Sequence, residues 1–443
     1  MNCRRPWLLA WLIATPVLLA GCATHIDRLR EVRNEFYGGN LDAATEKIEK
    51  YGKSYRGEAD VFQLDRAIVE LAAGRPKQAE QILRTVRDRL DYLDQTSLAE
   101  QSVSMLTDDT ATSYAGEDYE KILVRSLLAL ANLMGDGSDA AAYGLQATDI
   151  QERIIQAGAD KKGDNPKLTY KRVALGSYIQ GIMREETQAN YDDAARCWAR
   201  VVSWEPSFPY GRYDLDRATH GHHSQRGNGV LYVFALVGQG PYKDEKIEPI
   251  SSITMLVGDR IFSALGKHTL PPTTPILVPV VIVPTNPTTG IRVSVNRQVV
   301  GETATITDVG QLAKQQYDAI YPRVLLKAVA RRVAKDAIVY AAKDATKVSD
   351  GSWVNLLVDL GGMAWQATEV ADTRCWGLLP GRIQVMRVEL PAGEHYVGLL
   401  PDGSYGPTGE QGVKVKVADG RNTYVLANFA DGRLIGKIST NEN

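Results

Sequence analysis

Cys375 and His395 stand twenty residues apart near the C-terminus, and they are the first pair to weigh for chemistry. A thiolate beside an imidazole is a nucleophile with its base, and the two side chains need only meet in space. The stretch that carries them, ADTRCWGLLPGRIQVMRVELPAGEHYV, also reads as a turn and two strands that happen to hold both residues. A second cluster, His220, His222 and His223, has the HxHH spacing that can seed a transition-metal site. Ser224 and Gln225 follow it in place of further ligands, so a solvated polar loop is expected there and no metal. Cys22 is a third reactive position, and its context is the most specific of the three. It ends Leu19-Ala20-Gly21-Cys22, behind Arg4, Arg5 and the short apolar run Leu8 to Ala20.

Small residues after a basic and then apolar segment mark a cleavable signal. A cysteine directly after the cut marks a bacterial lipoprotein, with Cys22 as the lipidation site. Residues 1–21 are then the signal peptide. Acylation at the sulfur and at the new α-amine supplies several chains, enough for stable anchoring to the bilayer. Ala23 follows where an Asp would resemble an inner-membrane retention signal, so the expected place is the outer membrane, facing the periplasm.

The rest of the chain must position whatever remains. Hydrophobic residues make up 44% and charged residues 23%, as in ordinary globular proteins. A net charge of −2 implies no bulk attraction to nucleic acid. Besides Cys3 and Cys22, the cysteines are Cys197 and Cys375, expected as buried free thiols rather than a disulfide framework.

Residues 22–207 read as a helical domain. Four stretches place a small residue five positions before an alanine: Gly39 to Ala44, Gly74 to Ala79, Gly137 to Ala142 and Ala189 to Ala194. Ile48, Leu83 and Trp198 follow three of those alanines by four positions; Gln146 is a poor match in the third. This resembles the second half of a tetratricopeptide repeat, in which the alanine permits close helix approach and a large residue fills the layer. An α-solenoid of about four irregular pairs is expected, or else an unrelated array of α-hairpins. Either presents a surface suited to a partner protein. Residues 208–229, rich in Gly, Arg and Asp, read as a linker.

Residues 230–443 read as an α+β, β-rich domain with β-sandwich-like strands and two inserted helices, so the chain is multidomain. Strands are expected at 230–237, 275–284, 291–295, 299–300, 303–306, 383–390, 395–400, 413–417, 424–428 and 433–438. Pro279 confines its strand to an edge or delays its start. Asp402-Gly403, Ala418-Asp419-Gly420 and Asp431-Gly432 are expected turns. A short helix is expected at 253–265. Asp308 is expected to cap a helix reaching about Lys343, kinked or broken near Pro322, and a second helix is expected over 353–369. Arg323, Lys327, Arg331 and Lys335, four apart, form a basic stripe that suits anionic headgroups or an acidic partner; the plainer reading is the wet face of a helix packed through Leu325, Val329 and Val333. Asp372 and Arg374, two apart in extended chain, share a side and can hold a turn together, with Trp376 turned toward the core.

Together these features resemble a family of uncharacterised bacterial lipoproteins: the lipidation motif, the repeats, GQGPYKDEKIEPI at Gly238 to Ile250, and Ala371-Asp372-x-Arg374-x-Trp376-x-x-Leu379-Pro380 before an expected Pro-Ala-Gly-Glu-His hairpin at Pro391 to His395. Some members of that family occur alongside lipoprotein activators of penicillin-binding proteins, which implies a cell-envelope role. The function expected is a membrane-anchored periplasmic scaffold that binds an unidentified envelope protein through its repeats, with no cofactor. The alternative is a cell-wall-modifying enzyme using Cys375 and His395. L,D-transpeptidases pair such residues, but their cysteine follows a Ser/Thr-x-Gly-like run, and here Asp372-Thr373-Arg374 precedes it.

Overall fold

A computed structural model describes residues 24–100, 113–160, 162–248, 276–346, 371–403 and 409–441; side chains of 96–100 and 330–346 lie outside that description. Cys22 and the expected helices at 253–265 and 353–369 fall outside the described residues.

The chain begins with helices that pack against their sequence neighbours: α1 (His25–Tyr37), α2 (Leu41–Ser54), α3 (Ala59–Ala72), α4 (Pro76–Glu100), α5 (Asp118–Leu133), α6 (Ala140–Gln156), α7 (Leu175–Glu186), α8 (Tyr191–Trp204) and α9 (Gly211–Thr219). Thr24 starts α1 through a capping box, its backbone N–H and hydroxyl both bonded to Asp27. The turns before α2 and α4 need a left-handed residue, supplied by Gly39 and Gly74 at φ +86° and +75°. Two residues later each helix starts, which buries Ala44 with Ile48 and Ala79 with Leu83. In the fourth pair, Gln188 takes the left-handed position, the helix starts one residue later, and Ala194 and Trp198 are buried. The third motif is displaced. Ala142 is exposed, and the buried positions are Tyr143 and Ala147, with large and small exchanged. Gly144 compensates, lying so close to Gly176 of α7 that neither position has room for a Cβ.

Strands follow: β1 (Asn228–Gln239), β2 (Tyr242–Glu248), β3 (Ile276–Ile282), β4 (Thr288–Val295), β5 (Gln298–Glu302) and β6 (Ala304–Asp308). Helix α10 (Val309–Thr346) comes next, then β7 (Pro380–Pro391), β8 (Gly393–Gly403), β9 (Gln411–Val417), β10 (Asn422–Ala430) and β11 (Arg433–Thr440). The main sheet has the order β11-β10-β1-β7-β6, with β1 and β10 parallel. A second sheet, β5-β4-β8-β9, is antiparallel, and β2 pairs with β3 alone.

The main sheet is the middle layer. Its Leu231, Val233, Ala235 and Val237 pack on Ile291, Val293, Val397, Leu399 and Val415 of the second sheet, as in a sandwich. Tyr232, Phe234, Ile383, Val385 and Leu426 on the other face join the core of the helices. Tyr178 of α7 meets the Tyr232 and Phe234 rings edge-on at 6.5 and 6.4 Å. Burial on both faces explains why VLYVFALV is a continuous apolar run rather than an alternating one. The apolar core therefore runs across the segment read as a linker. That segment is itself packed: α9 lies within it, and Asp214 and Arg217 are buried.

Other expectations are corrected by the sheets. The residues around Pro391-Ala392-Gly393-Glu394 are not a hairpin, because β7 belongs to the main sheet and β8 to the second. The chain turns a corner between layers there, and again at Ala418-Asp419-Gly420 between β9 and β10. Asp402 and Gly403 still pair with β4, so the chain does not turn at them. Asp431-Gly432 is a hairpin turn, with φ +50° and +70°, between β10 and β11. The Asp308 carboxylate accepts from Gln311 N–H at 2.8 Å and caps α10, which runs through Pro322 as one helix. Pro279 lies within β3, opposite Glu245 in the two-stranded pair.

Candidate functional site

The residues singled out around Trp376 lie in the groove between the helical array and the main sheet. Residues 371–376 have no regular structure, and Thr373 through Leu379 are buried. Their backbone is held by side chains from α1, α3 and α5. Glu120 of α5 accepts from Trp376 N–H at 2.8 Å, and Asp65 of α3 accepts from Leu378 N–H at 2.8 Å. Arg33 of α1 donates to the Gly377 carbonyl. Gly377 and Leu378 form a turn, and acids from two helices meet the amides of Trp376 and Leu378 on either side of Gly377. Gly377 is required here, since a Cβ would run into the Leu29 side chain.

Asp372 and Arg374 form the pair expected of them, at 2.8 and 2.7 Å, a two-pronged guanidinium–carboxylate contact. Arg374 also donates to the Gly57 carbonyl at 3.1 Å and lies over the Tyr114 ring. The Asp372 carboxyl stays below its ordinary value: burial would raise it, but Arg374 and Lys243 outweigh that. Trp376 is fully buried. Lys243 of β2 is buried too and bonds Glu117; burial opposes its charge, yet Glu117 and Asp372 hold it protonated.

Asp65 and Glu120 behave differently. Burial pushes the Asp65 carboxyl up to about 8, so it is largely protonated at neutral pH. Glu120 is raised by burial and by nearby Glu117. Tyr114 and Tyr119 donate hydroxyls to it. Neither acid was singled out from sequence, although a signal existed. Asp65 and Glu120 sit on the apolar stripes of their helices, with Val61 and Ile68 flanking one and Leu123 and Leu127 following the other.

The structure does not bring Cys375 and His395 together. Cys375 packs against Ile26 and Leu29 of α1 and accepts from Lys243 N–H at 3.3 Å. Burial, then the Glu120 charge, push its thiol up to about 12. His395 lies on β8 of the second sheet, bonded to the Pro391 carbonyl at 2.8 Å. Cys197 is likewise a buried free thiol. The three linker histidines diverge. His220 and His222 are exposed, while His223 turns inward to Asn422 at 2.9 Å and is held neutral by burial. Among the described residues no three His, Cys, Asp or Glu side chains are grouped to hold a metal. Of the basic stripe, Arg323 is engaged within the chain, on the Gly158 and Asp164 carbonyls at 3.1 and 3.2 Å, and Lys327 is exposed. Val329 packs inward on Ile276 and Val278. The side chains of Arg331, Val333 and Lys335 lie outside the described residues.

A second buried charge cluster ties helices to sheet. Glu185 of α7 receives Arg217 of α9 at 2.6 and 2.9 Å and Trp198 of α8 at 3.0 Å. Asp214 accepts from Arg217 at 2.7 Å, and Arg387 of β7 approaches Glu185 at 3.9 Å.

Compared with protein-family models, curated proteins and solved structures, the chain has no significant match. Among the described residues no helix is long and apolar enough to cross a membrane.

Proposed function

We propose that this chain is a lipid-anchored scaffold of the bacterial outer membrane, facing the periplasm, whose tetratricopeptide-like helices bind a protein of the cell envelope. One observation carries the reading. The capped start of α1 is Thr24, and only Ala23 separates it from the lipidation motif's Cys22. Two residues of chain reach no more than about 7 Å. An acylated Cys22 would hold the folded body directly on the lipid surface, with no tether. The likeness to envelope lipoproteins agrees with that placement and remains part of the proposal.

The groove beneath α1, α3 and α5 already holds residues 371–379, so a partner would dock elsewhere on the array. The outward helices carry exposed apolar side chains, Tyr92 on α4 and Leu145 on α6. Two measurements test this. Cys22→Ser should abolish incorporation of labelled palmitate and release the chain from membranes. Photo-crosslinkers at positions 92 and 145 should capture one discrete envelope protein. Palmitate-independent membrane retention would overturn the anchor, and crosslinks to bulk lipoproteins alone would overturn the scaffold.

A further inference from the structure

A pocket of about 480 Å³ opens where three distant segments meet beside Pro284. Its wall is built from α1 (Arg30, Arg33, Tyr37), the β1–β2 turn (Gln239, Tyr242), and Asp431 with Arg433 at the β10–β11 hairpin. That volume lies within the usual range for small-ligand sites. The turn belongs to the GQGPYKDEK stretch, which the envelope reading leaves without a role.

Arg33 is the decisive residue. It is 6% exposed, and its guanidinium lies between two rings, 4.8 Å from Tyr242 and 5.1 Å from Tyr37. It donates to the Gly377 carbonyl, to Gln239 at 3.1 Å and to the Gly240 carbonyl at 3.3 Å. All three acceptors are neutral. Among the described residues, no carboxylate lies within ion-pair distance of Arg33 or of Arg433. Asp65 is close enough for Arg33 to act on it but is largely protonated at neutral pH, and Asp431, in the wall itself, accepts from Gln239 at 3.2 Å. A buried cation without a counter-ion is costly, and neutral donors would suffice for three neutral acceptors. Arg433 is the second observation. It is exposed at the same wall, where its guanidinium reaches the Tyr37 carbonyl at 3.5 Å. The remaining cation, Arg30, is shared with Asp27 and Asp244 at 3.4 and 3.1 Å.

We infer that this pocket binds a small ligand bearing an oxyanion, carboxylate or phosphate. The anion meets Arg33 and Arg433, and hydroxyl groups on the ligand's neutral body donate to Asp431 and Gln239. Guanidinium groups match both oxyanions, and held between rings Arg33 loses little freedom on binding. The inference is independent of the lipid anchor and of any protein partner.

Calorimetry on the full chain in detergent micelles tests it, with inorganic phosphate, glucuronate and neutral glucose as probes and chloride matching ionic strength. Phosphate or glucuronate should bind and raise the thermal midpoint, whichever of the two binds identifying the oxyanion. Arg433→Gln, at an exposed position, should leave the unliganded midpoint unchanged and weaken binding about tenfold. No binding of either anion at about 10 mM, binding of glucose alone, or undiminished binding by an Arg33→Gln/Arg433→Gln variant that still folds would overturn the inference.

Discussion

Three residues in the groove have consequences that can be measured one at a time. Cys375 has no accessible thiolate, so iodoacetamide at pH 8 should leave it unlabelled in the native chain and label it on unfolding. Rapid native labelling would mean the groove opens. Asp65 is raised to about 8 in the folded state against 3.8 ordinarily. The folded state then binds more protons, so this group's contribution is fully present below pH 3.8 and is lost as pH rises toward 8. Asp65→Asn, which keeps an acceptor for Leu378 N–H, should flatten the fall in stability between pH 5 and 8. An unchanged profile in denaturant titrations would show that Asp65 is not the titrating group. Gly377→Ala forces a methyl against Leu29, and overpacking of this kind costs about 1–3 kcal/mol. These residues were legible in part. Asp372 and Arg374 were picked out by their spacing, whereas Asp65 and Glu120, more than 250 residues away in sequence, became visible only once folding brought them to Trp376 and Leu378.

Elements, rather than residues, decide how the two halves are joined. α7, α8, α9 and β7 meet at Glu185, which is surrounded by Arg217, Trp198 and Arg387. Removing one member leaves a buried charge uncompensated, so Arg217→Ala should cost about 3–5 kcal/mol by urea denaturation. A loss below about 1 kcal/mol, the range of exposed pairs, would mean that water reaches the cluster. The segment carrying Arg217 lacks periodicity and is rich in Gly, Arg and Asp, a composition that reads as a linker. Its helix exists because Asp214 and Arg217 satisfy each other and Glu185 inside the core, a partnership that local composition does not reveal. Strand positions were more legible. β1, β4, β7, β9, β10 and β11 all fall where apolar runs or alternation placed them, since side-chain period reports burial directly.

At the scale of the molecule, the main sheet is a shared middle layer, and neither neighbour is complete without it. Phe234, Val385 and Leu426 cover one face of the array, while Val233, Ala427 and Phe429 cover the second sheet. Residues 24–227 expressed alone should therefore expose a continuous apolar face, melt without cooperativity and bind a hydrophobic dye. A sharp thermal transition from that fragment would show that the helices hold a core of their own. Residues 228–443 supplied together with it should restore cooperative melting.

By itself the sequence determined where helices give way to strands and which helix turns need a left-handed residue. Both are read from neighbours a few positions apart, where periodicity and backbone sterics operate. Only the tertiary structure decided that β7 and β8 part into different sheets and that β10 lies parallel to β1. It also decided that Trp376 and its neighbours fill the array's groove, and that Arg33 is left buried between two tyrosines. Those outcomes depend on which apolar face finds which partner across hundreds of residues, a choice that no local pattern encodes.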